Sequence, residues 1–117
     1  MTQNIVLEKA EQFAVRMVAL YKHLQGNGEY VMSKQVLRSG TSIGASIAEG
    51  HYAVSKADFV SKYAIAQKEG AEILYWPRLL TRTQYLEDDA ATQSLVADCD
   101  EILRILVSSI KTDTNKN

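Results

Sequence analysis

Proline occurs once in this chain, at Pro77, and cysteine once, at Cys99. A lone cysteine excludes an internal disulfide, and a buried core thiol in a reducing cytoplasm is the expectation. The scarcity of proline leaves long stretches without a helix breaker. No apolar run exceeds a few residues, so no segment reads as a membrane span. The opening residues MTQNIVLEKAEQ have neither the basic start nor the apolar block of a secretory signal. Strict apolar–polar alternation, the mark of a half-buried strand, occurs nowhere.

What is present is helical. The chain has 117 residues, 46% hydrophobic and 23% charged, which suits one globular domain, 1–117, with a real core. Val6, Ala10, Phe13, Met17, Leu20 and Leu24 recur every three or four positions and predict a helix over about 4–25, with Asn4 or Thr2 as its cap. Gln25-Gly26-Asn27-Gly28 ends it, because Gly and Asn tolerate the left-handed conformation of a helix stop. Met32, Val36, Gly40, Ile43 and Ile47 mark a second helix, about 29–50. Ser55-Lys56-Ala57-Asp58 resembles a capping box and opens a third, about 55–83. Its stripe is Phe59, Tyr63, Ala66, Gly70, Ile73 and Leu80, with Pro77 in the remaining slot as an expected kink. Glu87, Asp88 and Asp89 precede a fourth helix, about 88–111, where negative charge suits the helix dipole. Its stripe is Leu95, Cys99, Ile102, Leu106 and Ile110. Residues 112–117 read as a polar, fraying tail. The expected fold is all-α, an antiparallel up-down four-helix bundle.

Within the second helix, Gly40-Thr41-Ser42-Ile43-Gly44 matches the G-x-S-x-G pattern of a nucleophile elbow. That motif needs a strand before it and an acid and histidine after it. Here helix precedes it, and the only downstream histidine is His51. Ser42 therefore reads as a helix residue. Gly40, Gly44 and Ala48 lie at four-residue spacing and form a face of small side chains. Such a face suits close helix packing or a subunit interface. No glycine pattern fits a phosphate loop, and no cofactor is implied.

The run Leu37-Arg38-Ser39-Gly40-Thr41-Ser42-Ile43-Gly44-Ala45-Ser46-Ile47-Ala48-Glu49-Gly50 resembles the signature of the four-helix-bundle family first noticed in intervening sequences of bacterial 23S ribosomal RNA genes. Ser55 to Phe59, Ala64 to Glu69 with Glu72 and Leu74 to Trp76, and the closing leucine-rich helix match as well. Pro77 departs from the pattern, where an apolar helix former is expected. The resemblance implies a compact bundle that assembles as a homopentameric ring. A relative similar in fold, the accessory protein of diversity-generating retroelements, binds nucleic acid and pairs with a reverse transcriptase. That relative is strongly basic, whereas this chain has a pI near 6.1.

Three kinds of site remain to be weighed. A metal centre would need carboxylates with Glu-x-x-His pairs. Glu69 and Glu72 are three apart, but neither histidine stands at that offset from a glutamate. Arg38, Glu49, Glu69 and Glu72 read instead as a polar network, with Lys68 also within helical reach of Glu72. Nucleic-acid contacts would fall to Lys56, Lys62, Arg78 and Arg82. Residues 1–86 hold ten Lys/Arg against seven Asp/Glu, a balance of +3, while 87–117 hold three against seven, a balance of −4. Finally, Leu74, Tyr75 and Trp76 point about 100° apart on a helix and cannot all enter one core, which makes Trp76 a candidate interface anchor. The leading expectation is a cytoplasmic, non-enzymatic, homo-oligomeric interaction scaffold of unknown partner, with a protein partner as one candidate. Nucleic-acid binding stands second and a metal-dependent enzyme third.

Overall fold

The computed structural model describes the backbone of residues 2–114 and the side chains of residues 5–114. The cap expected at Thr2 or Asn4 lies outside the described side chains, and residues 115–117 of the tail lie outside the described residues. Four helices follow in order: α1 (Thr2–Gly26), α2 (Met32–His51), α3 (Lys56–Arg82) and α4 (Ala90–Thr114). Neighbours pack as α1 on α2, α2 on α3, α3 on α4 and α4 back on α1. The result is an elongated four-helix bundle of 50 × 22 × 19 Å.

The apolar stripes meet along the bundle axis. All six stripe residues of α1 are buried, as are Val36, Ile43 and Ile47 of α2, Tyr63, Ala66, Ile73 and Leu80 of α3, and Cys99, Ile102 and Leu106 of α4. Burying a large apolar side chain contributes roughly 1.5–3 kcal/mol. An exposed ion pair contributes about 0–1 kcal/mol, so these stripes, not the surface charges, hold the bundle together.

The turns refine the expected boundaries. Gly28 takes φ +83, and Glu29 N–H donates to Leu24 O at 2.9 Å, closing α1 with a Schellman motif. α2 starts at Met32, not 29, with Val31 at the N-cap position, because Glu29 stays in the turn and caps the helix from there with its side chain. The buried Glu29 carboxylate accepts from Val31 N at 3.1 Å and Ser33 N at 2.6 Å. Ser55 Oγ accepts from Asp58 N at 3.0 Å, and Asp58 accepts from Val54 N at 3.2 Å, which fixes the entry to α3. α3 runs unbroken through Pro77, which is buried in its stripe between Ile73 and Leu80. A second Schellman motif ends α3, with Tyr85 N donating to Leu80 O at 2.9 Å and Gln84 at φ 68. α4 starts at Ala90, not 88, because Asp89 caps it by accepting from Thr92 N at 2.9 Å. Residues 112–114, expected to fray, continue α4.

Candidate interaction surfaces

The small-residue run sits wholly inside α2, which rules out the strand–turn–helix of a nucleophile elbow. Ser42 Oγ donates to Ser39 O at 3.3 Å, Ser39 Oγ to Gln35 O at 3.0 Å and Thr41 Oγ1 to Leu37 O at 2.8 Å. These hydroxyls satisfy themselves on their own helix. His51 is exposed at the end of α2, edge-on to Tyr52, and His23 bonds Asn27, so neither serves Ser42.

The glycines of this run face α1 of the same chain. A Cβ on Gly40 would stand 2.6 Å from Met17 Cβ, and one on Gly44 would stand 3.7 Å from Ala10 Cβ. Both positions pack helix on helix, and Gly40 is buried there. Ala48 is half-buried on the same helix. Two further close approaches escaped the sequence reading. Gly50 would place a Cβ 2.8 Å from the Tyr63 ring, and Gly70 one 2.5 Å from Leu103 Cδ2. The buried stripe already contained Gly70, and that coincidence of glycine with a core slot was the available signal.

Arg38 of α2 joins two carboxylates of α3. Its Nη2 donates to both oxygens of Glu72, at 2.8 and 2.7 Å, and its Nη1 to Glu69 Oε2 at 3.3 Å. The hydrogen bond and charge of Glu72 lead in raising the Arg38 pKa further above its usual value. Trp76 Nε1 also donates to Glu72, at 3.3 Å, so the half-buried indole is tied to the network. Glu49 lies elsewhere, 3.8 Å from Lys62. Lys68 makes no ion pair among the described residues, because Glu72 is turned toward Arg38 across the helix boundary. Among the described residues no three His, Cys, Asp or Glu side chains gather as a metal site. Tyr75 is the exposed member of Leu74-Tyr75-Trp76, and its ring meets Trp76 edge-on at 5.4 Å.

The four candidate nucleic-acid contacts split into two pairs. Lys62 and Arg78 are sixteen residues apart on the same helix, about 24 Å along it at 1.5 Å per residue. Lys56 and Lys62 stand at one end of the bundle and Arg78 and Arg82 at the other. Within one chain they make no common patch.

The sequence reading missed Arg16. It donates to Asp98 Oδ2, to Ser94 Oγ at 3.2 Å and to Ala91 O at 3.3 Å, and with Lys9–Glu101 at 3.1 Å it stitches α1 to α4. The signal was the acidic last helix set against a mildly basic remainder. Above this seam lies an open cleft of about 840 Å³ between the end of α1 and the α3–α4 turn, lined by Leu20, His23, Gln84, Tyr85 and Leu95. Two shallower grooves, about 500 and 480 Å³, follow the α3–α4 boundary.

The chain is similar to known proteins over nearly its full length. No curated protein matches it. A crystal structure at 1.70 Å of a protein with unknown function from the S23 ribosomal protein family, from Bacteroides thetaiotaomicron VPI-5482, superposes with a TM-score of 0.91 at 50% identity, covering 95% of this chain and 99% of that one. The family model for the 23S rRNA-intervening sequence protein matches residues 2–108. With the helices, the packed glycine run and that match in hand, the chain belongs to the 23S rRNA-intervening sequence protein family.

Proposed function

We propose that the protein is a non-enzymatic, homo-oligomeric scaffold of the cytoplasm, built to bind a protein partner. One observation carries this reading. The bundle completes its own core, yet the α2–α3 turn leaves Tyr52 82% and Val54 91% exposed, side by side at one end. Large apolar side chains held outside a finished core are the usual anchors of contact with another chain. No helix among the described residues is long and apolar enough to cross a membrane. The family resemblance makes a ring of five copies the expected assembly. Light scattering tests it: the expected mass is about five times the 13.0 kDa chain, and Tyr52→Ser with Val54→Ser is expected to lower it while helicity is kept. A 13.0 kDa particle at micromolar concentration overturns the assembly reading.

A second reading is nucleic-acid binding by the assembled ring. Arg78 and Arg82 stand one turn apart on α3, and neither makes an ion pair among the described residues. A ring repeats this pair on every copy, which strengthens the local field beyond what a net charge of −1 suggests. Retention of single-stranded RNA that falls steeply with salt, and falls again in Arg78→Ala/Arg82→Ala, supports it. No retention at low salt refutes it.

A further inference from the structure

The two grooves along the α3–α4 boundary lie on one line. The first is lined by Ala71, Leu103 and Val107, the second by Leu74, Pro77 and Val96. Val107 is 40% exposed, Ala71 is exposed, and Leu74, Val96 and Leu103 are half-buried. From Val96 to Val107 is eleven residues, about 16 Å or three helical turns. These apolar side chains alternate with polar ones, Gln67 and Ser108 in the first groove and Thr81, Thr92 and Gln93 in the second, and cations stand among them. Arg78 and Arg82 flank one end, with Asp88 beside them, Lys111 stands at the other, and Arg104 lies between Val96 and Val107. Arg104 is paired with Asp100 at 3.3 Å, whereas Arg78, Arg82 and Lys111 make no ion pair among the described residues.

We propose that this groove docks an acidic amphipathic helix of a partner protein, with an apolar stripe on its floor and carboxylates against the cations at its ends. The proposal rests on the scaffold reading and names its partner's chemistry. An apolar trough of three turns accepts side chains at i, i+4, i+7 and i+11 of a helix. The charge at its ends selects the sign of the flanking residues and steers their approach. A second copy of this chain is a poorer match through its α3 or α4, because the carboxylates in the middle of those helices are already engaged, while Glu8 and Glu11 of α1 stand outside the ion pairs of the described residues. Glu69 and Glu72 hold Arg38, Asp98 holds Arg16, Glu101 holds Lys9 and Asp100 holds Arg104. Nucleic acid is a poorer match still, since an apolar floor offers nothing to a phosphate backbone.

The test uses the full chain and two synthetic helical peptides of about sixteen residues, a little over four turns. Both carry leucine at i, i+4, i+7 and i+11; one carries glutamate on the flanks and the other lysine. Fluorescence anisotropy is expected to show saturable binding of the acidic peptide, about tenfold or more tighter than the basic one. Amide shift changes are expected to fall along α3 and α4. Arg78→Glu/Arg82→Glu is expected to reverse the preference, and Val107→Asp, at an exposed position, to abolish binding with helicity unchanged. Equal binding of both peptides, binding of neither, or shift changes confined to α1 and α2 overturns the proposal. So does a Val107→Asp variant that falls to single chains, which makes the groove an interface between copies. The mass of the wild-type assembly separates the two readings. A stable oligomer that ignores both peptides sinks the groove alone, and a single chain that binds the acidic peptide sinks the assembly alone.

Discussion

Gly40 and Met17 are in closer contact than any larger residue at position 40 permits. A Cβ added to Gly40 would lie 2.6 Å from Met17 Cβ and 2.7 Å from its Cγ. Met17 Cβ is fixed to the α1 backbone, so relief requires the two helices to part. Overpacking of this kind costs about 1–3 kcal/mol, against about 1 kcal/mol gained in helix propensity on replacing glycine by alanine. Gly40→Ala is therefore expected to destabilise, by up to about 2 kcal/mol, in urea unfolding. Gly44→Ala should go the other way, because its new Cβ meets Ala10 Cβ at an ordinary 3.7 Å. Shifts of the same sign in both variants contradict this account.

Gln84 takes φ 68 at the position of the second Schellman motif where glycine is usual. A left-handed residue with a Cβ costs roughly 1–2 kcal/mol, part of which glycine gives back as unfolded-chain entropy. Gln84→Gly is expected to raise stability by about 0.5–1 kcal/mol, seen as a higher melting temperature. Gln84→Val should lower it.

The Tyr63 hydroxyl is buried with no hydrogen-bond partner among the described residues, and its burial pushes the phenol pKa up. The ring packs on Phe59 at a centroid distance of 4.2 Å. An unpaired buried hydroxyl costs about 1–3 kcal/mol, so Tyr63→Phe is expected to stabilise by about 1 kcal/mol. A loss in chemical denaturation would show that the hydroxyl has a partner in solution.

Burial, aided by the charge of Asp100, pushes the Cys99 thiol up to about 12. Its Sγ donates to Gly70 O at 3.4 Å. The thiol therefore stays protonated and inert near pH 8. Iodoacetamide is expected to leave the native protein unmodified and to label it fully in guanidinium. Rapid labelling of the native chain would mean that the α3–α4 boundary opens readily.

Asp89 has its carboxyl held below the usual 3.8, chiefly by the hydrogen bond from the Thr92 backbone. A lowered folded-state pKa adds stability that is fully present above the unfolded value and vanishes as pH falls through the folded one. The melting-temperature gap between wild type and Asp89→Ala should hold steady from pH 7 down to pH 5. It should then close below the ordinary carboxylate range. A gap that persists in strong acid points to packing and not to charge.

The helices and their buried faces were readable because a 3.6-residue period survives any detail of tertiary packing. Val6 through Leu24 all entered the core as that period requires. The Arg38 network was half readable: helical spacing put Glu69 and Glu72 together, but only the α2–α3 register decides that Arg38 reaches them and Glu49 does not. Arg16 with Asp98 was out of reach for the same reason, since 82 positions separate them. Gly40 and Gly44 look alike as residues, and a difference of about an ångström in helix approach makes one tight and the other loose. Glu29 was misjudged because a glutamate capping from a turn carries no pattern separate from a glutamate opening a helix.

The α1–α4 seam has a consequence for how the chain reaches its fold. Three of the four helix contacts join elements adjacent in sequence, across turns of only a few residues. Closing short loops carries little entropy, so α1–α2, α2–α3 and α3–α4 can each condense as a local hairpin, in the regime of fast folders. Only the meeting of α1 with α4 spans the chain, and its polar stitches, Arg16 to Asp98 and Lys9 to Glu101, are screened by salt where apolar contacts are not. The α1–α4 meeting is thus the one contact that joins the two ends of the chain, and salt weakens its stitches just as it weakens Arg38–Glu72 and Lys62–Glu49 between α2 and α3.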